Sequence, residues 1–398
     1  MEREVGMVQR TRMRLAVASG LVLAVGLTPG LVAAQDGMLT EVGPGEGQLS
    51  ILSWPGYVED GVAYEGIDWV TDFEAATGCE VTAAIFGTSD DAWTQFTQGG
   101  FDVVSASGDL SYRLFQNGYV QPINVDLVPN YADIVADLKD QPYNTFDDVH
   151  YGIPHGRGSN LLMWRTDIVD PAPDSWATVY DPASPSAGQI TAYDAAISIA
   201  DAAVALMGLK PELGITNPYA LDETQFAEAV ALAKTQFGLV NEYWSDYVLE
   251  MDAFRNGDSV LGTTWQIVTN YLLAEDPPVP VEVTKPKEGA TGWSDTWMVA
   301  ADSPNVNCAY LWLNHITSPE VQAELTEWWG EAPSNPKACE LMIDPGFCDQ
   351  FHAAAGDPWW DDVHYWTTPR EECLDGRTDV QCVGFDEWLD AWIEIKGG

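Results

Sequence analysis

From Leu49 to Gly118 short apolar runs alternate with stretches of helical spacing, and this alternation narrows the possible folds more than any other feature. "LSILSW", "EVTAAIF" and "FDVVSAS" are strand-like, while "GIDWVTDFEAATGC", "SDDAWTQFTQGG" and "LSYRLFQNG" repeat their apolar residues at three and four. A β-α-β-α-β order predicts an α/β fold whose sheets are mostly parallel and flanked by helices. The pattern resumes with "GQITAYD" entering "AAISIADAAVALMG", the amphipathic "DETQFAEAVALAKTQF", the strand "VEVTKPKEG" and the apolar "TWMVAA". Helices "NCAYLWLNHIT", "PEVQAELTEWWG" and "FDEWLDAWIEI" follow. With 398 residues, two such units can fit in one chain.

The first 34 residues predict a removable secretory signal. Arg10, Arg12 and Arg14 precede an apolar run from Leu15 to Leu27, and Val32-Ala33-Ala34 offers small residues before a cut at Gln35. Residues 35–48 are polar and Gly-rich and read as a flexible leader. Cys79 is the first cysteine, so no lipid anchor is expected and the mature chain should be free in the periplasm. Export also predicts oxidised cysteines. Cys339 with Cys348 and Cys373 with Cys382 suit local loops, which leaves Cys79 with Cys308. There is no CxxC and the five His are scattered, so neither a metal nor a cofactor is expected.

Charge excludes further classes. Against 61 acidic residues stand 17 Lys and Arg, a formal net of −44. Such a surface repels nucleic acid and anionic membranes and attracts cations. A solvated, salt-adapted surface explains the same acidity.

Three of the 17 Trp stand at strand ends: Trp54 after "LSILS", Trp265 after "LGTT", and Trp293 in "GWSDTW". Ligands of open α/β sheets bind beyond the carboxyl ends of strands. Aromatic rings gathered there suit a cation or a sugar ring. Asp109, Asp194 and Asp295 lie in comparable positions and would favour the cation, since a buried carboxylate calls for a partner. Asp109 and Asp194 also precede helices, where an Asp commonly serves as an N-cap.

With these landmarks in order, namely "SWPGY", "FDVVSAS", "NGYVQPIN", "YGIPHGRG", "ITAYDAA", "GTTWQ" and "KPKEGATGWSDTWMV", the mature chain resembles the spermidine/putrescine-binding proteins of ABC importers. The resemblance implies a two-lobed periplasmic-binding-protein fold with the ligand between the lobes. Lobe I is expected at 49–151 and 293–332, and lobe II at 152–292 and 333–398, with crossings near Gly152, Thr291 and Pro333. The family's binding positions fall on Trp54, Tyr57, Ser107, Asp194, Trp265, Trp293 and Asp295.

Departures from the family also matter. Asp109 stands where a Tyr is usual, Ile197 where a second acid is usual, Glu331 near a usual Tyr, and Arg157 near a usual aromatic. Arg157 could meet a ligand carboxylate or pair with a local Asp. The implied function is capture, without catalysis, of a putrescine- or spermidine-like amine by a monomer that serves the membrane subunits of an importer. The alternatives are a zwitterionic amino-acid-like or other cationic ligand, or an exported glycoside hydrolase using two carboxylates. A ferric-ion binder would want adjacent Tyr ligands, and no Tyr-Tyr occurs.

Overall fold

Where the sequence alternates, so does the backbone. The computed structural model describes residues 38–397, so the expected signal segment lies outside the described residues. The chain runs β1 (Gln48–Ser53), α1 (Val70–Thr77), β2 (Glu80–Ile85), α2 (Ser89–Phe96), β3 (Val103–Ala106), α3 (Gly108–Gln116) and β4 (Val120–Gln121). A hairpin of β5 (Thr145–Phe146) and β6 (Val149–His150) leads to β7 (Ile153–Pro154), β8 (Gly156–Ser159), β9 (Leu161–Arg165) and β10 (Ile190–Tyr193). Next come α4 (Ile199–Leu209), α5 (Glu223–Phe237), β11 (Val240–Trp244), α6 (Tyr247–Asn256), β12 (Leu261–Thr264), α7 (Gln266–Ala274), β13 (Val281–Thr284), β14 (Ala290–Trp293) and β15 (Thr296–Ala300). The chain closes with α8 (Val306–Ile316), α9 (Pro319–Trp329), β16 (Ala332–Pro333), α10 (Phe347–Gln350), β17 (Val363–Tyr365) and α11 (Phe385–Ile395).

Local chemistry sets the ends of the helices. Thr88 caps α2 by accepting from the Asp91 amide, and Asp222 with Gln225 closes a capping box on α5. Ser318 and Pro319 start α9, and Gly330 stops it in the left-handed region at φ 83°. α4 is buried at every position from Ile199 to Leu206, its alanines allowing close packing, and Asp201 is its one acid.

Two mixed sheets carry the fold. One has the order β2-β1-β3-β15-β4, with β7 beside β15; the other has the order β11-β10-β12-β9-β13. β1, β2 and β3 pair in parallel, as do β10, β11 and β12. β15 runs antiparallel to β3, and β9 runs antiparallel to both β12 and β13. The expectation of mostly parallel sheets therefore holds for the β-α-β stretches and fails at the strands that return without a helix.

A third sheet, β16-β8-β14-β17, was not foreseen. Three of its strands, β8, β14 and β16, lie next to the expected crossings near Gly152, Thr291 and Pro333. Gly292 pairs with Ser159, Ala332 with Arg157, and Thr291 with His364. β8 runs from the first large sheet to the second and β14 runs back, and the small sheet hydrogen-bonds these two segments to each other and to β16 and β17.

All six cysteines are paired as expected: Cys79–Cys308, Cys339–Cys348 and Cys373–Cys382. The segment read as a flexible leader is held down from Leu39 onward. The Gly43 amide donates to Asn307, Glu46 accepts from the amides of Asn307 and Cys308, and the Asn124 side chain donates to the Leu39 carbonyl. A Cβ on Gly45 would sit 2.4 Å from Cys79 Sγ, so glycine lets this segment cross directly over the bridge. Among the described residues no helix is long and apolar enough to cross a membrane.

Candidate functional site

Trp54 follows β1, Trp265 follows β12 and opens α7, and Trp293 ends β14. The ends of these strands meet, and with them Tyr57, Ser107, Asp295, Trp329 and Trp366 line one cavity. The rings press on each other: Trp54 and Trp265 are edge-on at 5.9 Å between centroids, as are Trp265 and Trp293. The cavity encloses about 20 Å³ of free space, close to the room one water molecule needs. A Cβ on Gly158 would lie 2.0 Å from the Trp293 ring, so only glycine permits that indole to lie against β8.

Asp295 is the one charged residue in this aromatic lining, and it is 3% exposed. The Ser107 hydroxyl donates to its Oδ1 at 2.6 Å and the Tyr57 hydroxyl to its Oδ2 at 2.8 Å. Ser107 in turn accepts from Trp54 Nε1 at 3.0 Å. Burial raises the Asp295 carboxyl to about 7, against the pull of its two donors. Burial, with the carboxylates of Asp295 and Glu331 nearby, also holds the Tyr57 hydroxyl well above its usual range.

Behind Tyr57 lies a second polar group. Glu331, 1% exposed, stands 3.4 Å from the Tyr57 hydroxyl. His155 stacks on Tyr57 at 3.8 Å and receives the Trp297 indole N–H at Nδ1, which leaves the proton on Nε2. That Nε2 is 3.1 Å from Glu331 Oε1 but outside hydrogen-bond geometry. Glu331 lines a neighbouring cavity of about 200 Å³ together with Arg157, Lys285 and Trp293, which the two cavities share.

Trp54, Tyr57, Ser107, Trp265, Trp293 and Asp295 therefore share one cavity, and the other sequence candidates lie apart from it. Asp109 sits in the first turn of α3, where it accepts from the Ser89 hydroxyl at 2.8 Å; it does not cap the helix, since Ser107 holds that position. Burial raises its carboxyl to about 6. Asp194 is taken by α11: it accepts from Trp392 Nε1 at 3.1 Å and pairs with Lys396. Arg157 lies over the Trp360 ring, donates to the carbonyls of His352 and Ala354, and stands 3.5 Å from Asp137. Ile197 is buried apolar filling. Trp329, Trp366 and His155 were missed from the sequence. Trp329 belongs to an ordinary amphipathic helix, and Trp366 follows a strand of only three residues.

The chain matches the family model described as bacterial extracellular solute-binding protein over residues 68–355. It is 23% identical over 298 residues to the spermidine/putrescine-binding periplasmic protein of Escherichia coli (strain K12), covering 74% of this chain and 79% of that one. A putrescine-binding periplasmic protein of the same organism is 26% identical over 311 residues, covering 74% and 80%. Among solved structures, a putative spermidine/putrescine ABC transporter from Listeria monocytogenes superposes with a TM-score of 0.70 at 20% identity, covering 88% of this chain and 99% of that one. That likeness is one of fold. The family match spans well over half of the chain, and the chain belongs to the bacterial extracellular solute-binding proteins.

Proposed function

We propose that the protein captures a linear alkylammonium of the putrescine and spermidine class outside the cytoplasm and hands it to the membrane subunits of an ABC importer, without catalysis. One observation carries this reading: a single buried carboxylate, Asp295, in a cavity otherwise lined by five Trp, one Tyr and one Ser. Ring faces attract a cation, and a desolvated carboxylate supplies its counter-charge. A neutral sugar would leave the carboxylate uncompensated, and an anion would be repelled by it. Glycoside hydrolysis calls for two carboxyls facing one bond. Here Glu331 lies behind Tyr57 and opens to the other cavity. The relatives named for spermidine and putrescine point to the same ligand class.

Capture requires opening, because Trp54, Trp265, Trp293 and Asp295, which line the cavity, are all buried. We infer two lobes, 49–151 with 293–332 and 152–292 with 333–398, that part about the third sheet and close over the ligand. The zwitterion alternative is weakened by Arg157, whose guanidinium is already held by two carbonyls and Asp137.

A thermal-shift panel tests the function, since a ligand raises apparent stability by mass action. Putrescine or spermidine at micromolar concentration should raise Tm. A rise with glucose or citrate and none with any amine would contradict the proposal.

A further inference from the structure

Trp265 stands between Trp54 and Trp293 in the cavity wall, and its indole N–H does not point into the cavity. It donates to Asn160 Oδ1 at 3.0 Å. The Asn160 amide donates onward to Thr291 Oγ1 at 2.7 Å, and the Thr291 hydroxyl donates to the Asp201 carboxylate. Every donor points the same way, and the chain of bonds ends on a group that accepts. The direction is therefore fixed: a reversed Asn160 amide would set its NH₂ against the indole N–H, donor against donor. All four residues are buried. They come from four places in sequence: the β8–β9 junction, the start of α7, β14 and α4. The Asn160 backbone amide also donates to the Thr291 carbonyl at 2.9 Å, so the middle of the relay is pinned by main chain as well as side chain.

Neither Asn160 nor Thr291 belongs to the cavity lining, and Asp201 stands one bond farther away. All three nevertheless act on one wall of the cavity. Trp265 touches Trp54 at 5.9 Å, Trp244 at 4.8 Å and Trp293 at 5.9 Å, so a turn of its ring reshapes the whole cage. Thr291 lies in β14, a strand of the small sheet that links the two large ones.

We propose that Asn160, Thr291 and Asp201 are positioning residues: they hold the Trp265 indole at the angle that shapes the ligand cavity, and they tie that angle to the linking sheet. The relay rests on taking the cavity as the ligand site, but its geometry can be tested without ligand. A fully satisfied buried network specifies one arrangement, and loss of one member leaves the next donor unpaired.

The test uses the full mature chain. The indole N–H resonance of Trp265 is assigned by its loss in Trp265→Phe. Thr291→Val keeps the shape and removes the hydroxyl; Thr291→Ser keeps the hydroxyl. In T291V the Trp265 indole resonance should shift and its hydrogen exchange quicken about tenfold, while T291S stays at the wild-type value. Indole resonances remote from the relay, such as that of Trp312, should stay in place in both. Putrescine affinity should fall about fivefold or more in T291V and recover in T291S. If T291V does not fold, Asp201→Asn, which weakens the terminal acceptor, should move the same resonance in the same direction. An unmoved Trp265 resonance, a uniform shift of all the tryptophans, or putrescine affinity unchanged despite a moved resonance would overturn the proposal. If wild type itself fails to bind putrescine while the indole readout behaves as stated, the ligand assignment fails and the relay stands.

Discussion

Ser107 holds the N-cap position of α3, yet its hydroxyl makes no cap and donates to Asp295 Oδ1 at 2.6 Å. An N-cap serine ordinarily accepts from an amide of the first helical turn. Here that acceptor capacity takes the Trp54 indole N–H, so one hydroxyl joins the cage wall to the only carboxylate in the cavity. The helix gives up a cap, and the carboxylate gains a donor that keeps it ionisable in an aromatic surrounding.

Ser107→Ala breaks both bonds. It orphans the Trp54 N–H and removes one of the two hydroxyls on Asp295, at a cost of about 1–3 kcal/mol to whichever state uses them. Putrescine affinity at neutral pH is expected to fall about tenfold or more. Ser107→Thr, which keeps the hydroxyl, should lose less. Titration calorimetry on the three proteins checks the order.

Binding should depend on pH with a definite sign. Asp295 titrates near 7 because it is buried, and an ammonium favours its ionised form. Affinity for putrescine should therefore rise as pH increases toward about 7, by up to about tenfold per unit, and level off above. Ligand-free stability should move the other way. Asp295 and Asp201 at about 7 and Asp109 at about 6 keep protons that the unfolded chain releases near 4. Their contribution is therefore present at low pH and lost as pH rises through about 4 to 7. Chemical denaturation across that range should show the decline; a rise would mean these carboxyls are not buried as described.

Much of this arrangement was legible, and what was not has physical reasons. Trp54, Trp265 and Trp293 could be grouped because each ends an apolar strand, and strand ends of an α/β fold converge. Asp194 also follows a strand, but its partner Lys396 arrives from 202 residues away, at the C-cap of the last helix, which no local pattern announces. The third sheet escaped notice because strands of two to four residues carry no periodicity. The antiparallel direction of β9 and β15 escaped because hydrophobic alternation does not encode strand direction. Asp201 did leave a signal: a lone acid inside the apolar "SIADAAVALMG".

Asp194 therefore offers a contrast with Asp295. Asp194→Asn removes a partly exposed ion pair with Lys396, worth under about 1 kcal/mol of stability. Putrescine affinity should stay within about threefold of wild type. A loss as large as that for Asp295 variants would mean that the acid changes partner when ligand binds.

The Cys79–Cys308 bridge closes a loop with a sequence separation of 229, against 9 for each of the other two. Replacing this pair by Ala should lower stability by about 3–5 kcal/mol, more than either local pair, because it frees the most unfolded-chain entropy. Equilibrium denaturation of the three double variants gives the ranking, and equal losses would contradict it.

In the proposed function, one buried carboxylate in an aromatic cavity captures an amine. Titration calorimetry of putrescine into wild type and Asp295→Asn at about pH 8 tests it most directly. Wild type should bind in the micromolar range or tighter. The isosteric neutral variant should bind about 100-fold more weakly, while remaining at least as stable without ligand, since it no longer buries a charge. Equal affinities for the two proteins, or no binding of putrescine or spermidine to wild type, would contradict the account.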